Sequence, residues 1–224
     1  MKLPIYVINP NSSAAVTAGI DAAMAPLRMA GGPEIRCLTL AEGPPGIVTH
    51  FDVQSVAVPL AERADALASE ASAFVIACYS DPGLYVLRER LAQPVLGIGE
   101  CGVLTALTLG ERFGVIAILD GSIPRHLRSY GAMGVTGRFA GELAIGLDVQ
   151  ELAQYERTLA RMTEVGRRLR DERGADVIVM GCAGMAAYRD PLQQALGIAV
   201  VEPTQAAVGM AIARVQLGWQ GAPK

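Results

Sequence analysis

Two cysteines follow apolar segments at matching places in the two halves of the chain. Cys78 comes directly after residues 74–77, and Cys182 comes two residues after the segment 177–180. One such cysteine alone is most simply a small core residue, but two at matching places favour a shared role. Inversion of a carbon centre needs a base on one face and an acid on the opposite face, with the roles exchanged in the reverse direction. A thiol and a thiolate from two halves of a fold suit proton transfer of this kind.

The residues around each cysteine favour ionisation of the thiol and binding of an oxygen. Asp81 and Pro82 are typical of the N-cap and first residue of a helix, and a thiol at a helix entrance is stabilised as thiolate. We therefore expect the pKa of Cys78, and that of Cys182 in the same setting, to fall from about 8.5 into the working range. Cys182 lies among small residues that let backbone amides approach a bound carbonyl or carboxylate. The amides of 79–81 and 183–184 are expected to hold an enolate oxygen.

The elements that position these cysteines are predicted from periodicity. Short apolar runs alternate with longer segments of helical period, which is typical of repeated βα units and a mainly parallel sheet. The predicted strands cover residues 5–8, 35–40, 74–77, 95–98, 114–119, 177–180 and 199–201. The predicted helices cover residues 14–24, 53–69, 82–91, 103–109, 124–130 and 149–173.

The two halves of the chain have similar spacing between their motifs. Cys78 precedes Val95 by 17 residues, and Cys182 precedes Val200 by 18. We infer a duplicated βα unit that forms two similar lobes, with their strand-end loops facing each other. The first lobe is expected to comprise residues 1–99, with 205–224 packing back on it, and the second lobe residues 100–204.

Composition and charge exclude several classes of partner. A chain of 224 residues, 51% of them hydrophobic, can bury a proper core. Nineteen Lys and Arg against 22 Asp and Glu give a net charge of -3, so neither nucleic acid nor an anionic membrane is an expected partner. No apolar run reaches the roughly 18 residues of a membrane span, and a cytoplasmic location is expected. The apolar content and long helices favour self-association into a homo-oligomer with a small-molecule substrate.

The sequence also predicts that no cofactor or metal is used. The four cysteines, Cys37, Cys78, Cys101 and Cys182, form no CxxC pair, and the two histidines, His50 and His126, belong to no metal motif. The two lysines are Lys2 and Lys224, at the chain ends, where an internal Schiff base to pyridoxal phosphate is implausible.

Three motifs carry a resemblance to a known family. They are Ile8-Asn-Pro-Asn-Ser-Ser13, Ala77-Cys-Tyr-Ser-Asp-Pro-Gly-Leu84 and Met180-Gly-Cys-Ala-Gly-Met185. Nearly end to end and in this order, the chain resembles the hydantoin and allantoin racemases of the aspartate/glutamate racemase superfamily. The resemblance implies two pseudo-symmetric Rossmann-like lobes with mainly parallel four-stranded sheets, an active site in the cleft between them, and a cofactor-independent two-base mechanism using Cys78 and Cys182.

The resemblance and the amides described above together assign the substrate-binding residues. They are expected to be Asn9, Ser12, Ser13, Tyr79, Ser80, Asp81, Ser122, Gly181, Ala183 and Gly184. The chain departs from relatives that bind amino acid carboxylates, because it has Leu119-Asp-Gly-Ser122 where they carry a Thr-rich loop. The added charge of Asp120 disfavours a dicarboxylate, so a neutral ring such as a 5-substituted hydantoin or allantoin is favoured. An amino acid racemase, a maleate-type isomerase and a decarboxylase on the same fold stay open as alternatives.

A second motif indicates a different class of enzyme. The run Gly97-Ile-Gly-Glu-Cys-Gly102 fits GxGxxG after a strand, with Asp120 further along, as in a dinucleotide-binding site. An NAD-dependent oxidoreductase is therefore a remote alternative, and a non-catalytic ligand binder a more remote one. The motif lies mid-chain, before a short predicted helix, and lone glycine patterns often mark tight turns.

The remaining candidates have simpler interpretations. Cys37 and Cys101 are expected to be packing residues. The Pro/Gly loop before His50 is either a lid that contributes an aromatic wall or an ordinary surface loop. A solvated helix face is expected for Arg125, His126 and Arg128, and contact with an oxygen-rich substrate is the alternative. The charged helix 149–173 is expected to be scaffold or subunit contact.

Overall fold

The fold consists of two four-stranded sheets in which every strand pairing is parallel. The structure is a computed structural model that describes residues 3–219. Its strands are β1 Ile5–Asn9, β2 Ile35–Thr39, β3 Ala73–Ile76, β4 Val95–Gly97, β5 Phe113–Ala117, β6 Phe139–Ala144, β7 Val177–Met180 and β8 Ala199–Val201. Its helices are α1 Ala14–Ala23, α2 His50–Ser55, α3 Ala57–Leu67, α4 Leu84–Arg90, α5 Ile98–Leu109, α6 Ile123–Met133, α7 Tyr155–Arg173, α8 Arg189–Leu196 and α9 Pro203–Leu217.

The two sheets have the same strand order. The first runs β2-β1-β3-β4 and the second β6-β5-β7-β8, so each strand of the first has a counterpart four strands later. The central strands β1, β3, β5 and β7 are buried along their whole length, because helices cover both faces of each sheet. The prediction of two pseudo-symmetric α/β lobes with parallel four-stranded sheets is confirmed.

The seven predicted strands are present, with ends within two residues of those expected. An eighth strand, β6, was missed by the periodicity. Its sequence FAGELA is only partly buried and carries Glu142 in its middle, so it shows no continuous apolar run. It lies at the edge of the second sheet, where it pairs with one neighbouring strand, β5.

Several helix ends differ from the prediction for local reasons. The predicted helix 53–69 is divided at Val56, because Pro59 has no N–H to continue the hydrogen-bonding pattern. Helix α7 begins at Tyr155 and not at residue 149, since Asp148 Oδ1 accepts the amides of Gln150 and Glu151, both at 2.9 Å, and forms a separate turn. Helix α5 begins five residues earlier than predicted, at Ile98.

The packing of α5 and α9 supports the division into lobes that the sequence predicts. Helix α9 packs on β1, β3 and β4 of the first sheet and on α5, while α5 also contacts β7 of the second sheet. On this basis we propose that one lobe comprises residues 1–99 and 205–224 and the other residues 100–204. Both lysines, Lys2 and Lys224, lie outside the described residues, as do residues 220–223. Among the described residues, no helix is both long and apolar enough to cross a bilayer.

Candidate active site

Cys78 and Cys182 line one cleft between the two sheets. Each lies two residues beyond the carboxyl end of an equivalent strand, Cys78 after β3 and Cys182 after β7. The cleft has a volume of about 470 Å³, counted with its open mouth. It is lined by Asn11, Val16, Ile47, Ala77, Cys78, Tyr79, Ser80, Ile118, Ser122, Arg125, His126, Val149, Gly181, Cys182, Ala183 and Gly184. The strand ends therefore bring together two thiols that are 104 residues apart in the chain.

Desolvation raises the pKa of both thiols. Burial raises the pKa of Cys78 to about 12 against the lowering effect of the Ser80 amide, and a charge on Cys182 raises it further. Burial raises the pKa of Cys182 to about 11, again opposed by an amide two residues ahead, that of Gly184. The expectation of a depressed pKa was wrong for both thiols. Helix α4 begins only at Leu84, so Cys78 lies well before the helix entrance, and at Cys182 burial outweighs the Gly184 amide.

The loop that carries Cys78 is held by Asp81, which has a positive φ of 46°. Its carboxylate accepts the amides of Gly99 at 2.9 Å and Glu100 at 2.8 Å, the first turn of α5. The prediction that Asp81 caps its own helix was wrong, since Gly83 occupies the N-cap of α4. Asp81 supports the cysteine loop from behind and does not line the cleft.

These contacts explain the GxGxxG motif. A Cβ at Gly97 would lie 2.3 Å from the Asp81 carboxyl carbon, and one at Gly99 would lie 2.2 Å from the Tyr79 carbonyl oxygen. A Cβ at Gly102 would approach Pro203 at 2.9 Å. The amides that a pyrophosphate would need at this helix end are occupied by the Asp81 carboxylate. The glycines therefore permit close packing of the protein on itself.

The loop that carries Cys182 also depends on glycines. Cys182 is the N-cap residue of a 3₁₀ helix over 183–188. A Cβ at Gly181 would lie 2.7 Å from the Ile116 carbonyl oxygen, so only glycine fits beside β5. A Cβ at Gly184 would lie 3.6 Å from Cys182 Sγ and 3.0 Å from Leu152 Cδ1. Gly184 thus leaves space next to the thiol.

Six of the residues predicted to bind the substrate line the cleft. They are Tyr79, Ser80, Ser122, Gly181, Ala183 and Gly184. The phenol of Tyr79 lies 3.3 Å from that of Tyr130, and Ser122 Oγ donates to the Leu119 carbonyl at 2.8 Å. The hydroxyl of Ser80 instead contacts Arg125 and His126, and both of these residues also line the cleft.

The first-strand motif is placed differently from the prediction. Asn9 is buried and donates to Asn11 Oδ1 at 2.9 Å and to Thr17 Oγ1 at 3.1 Å, so it organises the loop. Ser13 caps α1, and Ser12 is exposed. Asn9, Ser12 and Ser13 do not line the cleft, whereas Asn11 of the same motif does. Because Asn11 Oδ1 accepts two hydrogen bonds from this loop, its amide nitrogen is the group left for a ligand.

Two charged residues of helix α6 belong to the cleft and not to the solvated face that the sequence favours. Arg125 and His126 are 8% and 4% exposed and line the cleft, so the expectation of a solvated face was wrong for both. They are buried because α6 packs against the cysteine loop of the other lobe, where Tyr79 meets the His126 ring edge-on at 5.0 Å. Tyr130, four residues after His126, is buried on the same helix. Arg128 stays on the outside and contacts His50.

Other sequence candidates lie outside the cleft or at its rim. In the Pro/Gly loop, Ile47 lines the cleft, but Phe51 is 78% exposed and supplies no aromatic wall. Asp120 is exposed at the second-lobe loop and does not line the cleft, so its charge is not the reason to disfavour a dicarboxylate. Cys101 is buried in the core, and burial raises the pKa of Cys37 and of Cys101 to about 12. Within residues 3–219, no three His, Cys, Asp or Glu residues gather as a metal-binding cluster.

The chain is similar to several racemases over almost its whole length. The sequence pattern of the family described as Asp/Glu/Hydantoin racemase matches residues 5–211. A hydantoin racemase from Paenarthrobacter aurescens is 33% identical, over 96% of this chain and 92% of that protein. The crystal structure of an allantoin racemase from Pseudomonas fluorescens is 29% identical with a TM-score of 0.93, covering 98% of this chain and 94% of that one. An allantoin racemase from Klebsiella pneumoniae is 32% identical with a TM-score of 0.88, covering 98% and 90%.

Proposed function

Because the chain belongs to the Asp/Glu/hydantoin racemase family and is an isomerase of the racemase class, we propose that it racemises a 5-substituted hydantoin with Cys78 and Cys182 as its two bases. The observation that carries the proposal is the equivalent placement of the two thiols. Each lies two residues beyond the same strand of its own sheet, and both line one cleft. A planar carbanion between them would have a sulfur on either face.

Proton transfer between the thiols balances without a further reactant. The cycle starts once one cysteine has released its proton to bulk water. As thiolate it removes the proton from the stereocentre, and the electron pair moves into the neighbouring carbonyl to form an enolate. The opposite thiol then donates its proton to the other face and is left as thiolate, so the next turnover runs in the reverse direction. The enzyme needs no cofactor for these two proton transfers. The high pKa of both thiols suits weak carbon acids, because the thiolate formed is strongly basic.

The charge of the cleft favours a neutral ring. Among its lining residues Arg125 is the single Lys or Arg, while a dicarboxylic amino acid presents two carboxylates. A hydantoin is neutral and becomes anionic only as the enolate forms, so one guanidinium matches the charge that develops.

An apolar recess next to the cleft favours an alkyl or aryl substituent. The recess shares Val16, Val149, Ala183 and Gly184 with the cleft and has a volume of about 870 Å³ with its open mouth. Its other lining residues are Ser13, Ala15, Gly19, Gln150, Leu152, Ala153, Ala186, Ala187 and Tyr188, most of which are apolar. The ureido group of allantoin would leave polar atoms without partners there, so we place allantoin second.

Exchange with deuterium oxide tests the proposal. Single enantiomers of 5-benzylhydantoin, 5-methylhydantoin, allantoin, aspartate and glutamate are incubated with the protein, and optical rotation and deuterium at the stereocentre are followed. We expect racemisation with deuterium uptake, fastest for 5-benzylhydantoin and unaffected by chelator or NADH. Cys78→Ser and Cys182→Ser should each lower turnover by about 10²–10⁴-fold, while the control Cys37→Ser retains it. Full turnover in both cleft variants would overturn the two-thiol mechanism, and turnover of amino acids alone would overturn the substrate.

A further inference from the structure

A chain of hydrogen bonds links the cleft to a buried carboxylate. His126 Nε2 lies 3.2 Å from Ser80 Oγ, and His126 Nδ1 lies 2.6 Å from Glu142 Oε1. Tyr130 donates to the other oxygen of Glu142 at 3.2 Å. The side chains of His126 and Glu142 are 4% and 0% exposed, so water does not compete for these contacts.

The partners of Glu142 determine where the hydrogens of His126 lie. An ionised carboxylate only accepts hydrogen bonds, so this contact favours a hydrogen on His126 Nδ1. A buried carboxylate with neutral partners alone is costly, and an imidazolium beside it neutralises its charge. With hydrogens on both ring nitrogens, His126 would donate to Glu142 from Nδ1 and to Ser80 Oγ from Nε2.

Two donors on one hydroxyl orient its own hydrogen. Arg125 Nε donates to Ser80 Oγ from a distance of 3.4 Å, in addition to His126. A hydroxyl oxygen has two lone pairs, and both are then occupied. The hydroxyl hydrogen of Ser80 is then free to turn toward the cleft, which Ser80, Arg125 and His126 all line.

We propose that His126 and Glu142 are positioning residues, which hold the Ser80 hydroxyl beside the Arg125 guanidinium. In this position the Ser80 hydroxyl donates a hydrogen bond to the carbonyl oxygen next to the stereocentre. In the proposed arrangement His126 carries a hydrogen on both ring nitrogens, so its charge and that of Glu142 cancel and Arg125 supplies the net positive charge of this side of the cleft. That charge is matched when the carbonyl becomes an enolate. This inference rests on the proposed function, because it assumes that an enolate forms in the cleft.

A mutant cycle distinguishes a positioning role from a structural one. Ser80→Ala should lower kcat by about 10²-fold, the effect of removing one oxyanion donor, with less change in KM, and Ser80→Thr should restore most of it. His126→Gln should lower kcat by about tenfold when Ser80 is present and by less than about twofold when Ser80 is already Ala, as for residues coupled in one hydrogen-bond network. The same comparison with Glu142→Gln repeats the test if one variant fails to fold, and Glu164→Gln on the outer face of α7 is the matched control.

Nitrogen NMR of the imidazole gives a readout that is independent of turnover. The chain has two histidines, so ¹⁵N-labelled His50→Gln protein reports on His126 alone. We expect hydrogen on both ring nitrogens in the wild type and on one after Glu142→Gln. A neutral ring in the wild type, full activity of Ser80→Ala, or equal effects of His126→Gln with and without Ser80 would each overturn the inference. If the wild type racemises no hydantoin, the proposed function fails instead. The NMR result still reports on the hydrogen bonds of His126 with Ser80 and Glu142.

Discussion

Asp81 joins the loop that carries Cys78 to the first turn of α5, because its carboxylate accepts the amide of Gly99 at 2.9 Å. Burial raises the pKa of this carboxyl to about 7, although the amides of Gly99 and Glu100 oppose the shift. The contact caps a helix from a distant part of the chain and sets the position of the thiol in the cleft.

Removal of the Asp81 cap should destabilise the protein. We expect Asp81→Ala to lower the free energy of unfolding by about 0.5–2 kcal/mol, as for other helix caps, and to lower turnover because the Cys78 loop loses its anchor. Urea unfolding and racemisation rates check this. An unchanged unfolding midpoint would contradict the role of Asp81 as a cap.

The same carboxyl should make stability depend on pH with a definite sign. The pKa of Asp81 is about 7 in the folded state, against about 3.9 for a free aspartate. The folded state therefore binds the proton more tightly, and the resulting stabilisation is lost as the pH rises from about 4 to about 7. We expect the free energy of unfolding of the wild type, relative to Asp81→Asn, to decrease between pH 5 and pH 8. A difference that is constant with pH would show that Asp81 ionises as in the unfolded chain.

Gly99 should tolerate no side chain. A Cβ there would lie 2.2 Å from the Tyr79 carbonyl oxygen, a backbone atom that can move only with the cysteine loop. We expect Gly99→Ala to destabilise the protein by about 1–3 kcal/mol. The matched control is Gly19→Ala in the interior of α1, where a Cβ meets nothing within 4 Å and should add about 0.5–1 kcal/mol. Chemical denaturation of both variants measures the contrast, and equal effects would be inconsistent with the close approach.

The two cleft thiols should react slowly with alkylating agents. The pKa values of about 12 for Cys78 and about 11 for Cys182 predict less thiolate at neutral pH than in an unstructured cysteine, with Cys182 modified first. Iodoacetamide labelling followed by peptide mapping between pH 7 and pH 10 should show rates that rise about tenfold per pH unit. A plateau near pH 8.5 at either position would contradict the effect of desolvation.

The space at Gly184 should set the tolerated size of the substituent. A Cβ there would lie 3.0 Å from Leu152 Cδ1 and 3.6 Å from Cys182 Sγ, where the cleft meets the apolar recess. We expect Gly184→Ala to lower kcat/KM about tenfold or more for 5-benzylhydantoin, as for other single-carbon changes in apolar pockets. 5-Methylhydantoin, which does not reach the recess, should be affected much less. Steady-state kinetics with both substrates decides, and equal losses would place the substituent elsewhere.

Much of the architecture was predictable because it is encoded locally. The buried central strands are continuous apolar runs, so β1, β3, β5 and β7 are visible in the sequence, as are the cysteines that follow two of them. Strand β6 was not predictable, since its buried Glu142 is explained by His126 and Tyr130 and not by any apolar period. The start of α5 was misplaced because the cap comes from Asp81, 18 residues before Gly99.

The polar wall of the cleft has no local signature. Arg125 and His126 look like part of a charged surface helix, and Ser80 lies 46 residues from His126 in the chain. Asn9 and Asn11 are equally good ligands by residue type, but strand geometry buries the first within its own loop and places the second at the cleft.

The amino-acid sequence by itself determined the two α/β lobes and the equivalent positions of Cys78 and Cys182, because hydrophobic period and the ends of buried strands are properties of short segments. Only the tertiary structure decided which polar side chains meet at the thiols and in which direction the pKa of each thiol shifts. Desolvation and hydrogen bonding depend on atoms that come together across the cleft, and those neighbours are far apart along the chain.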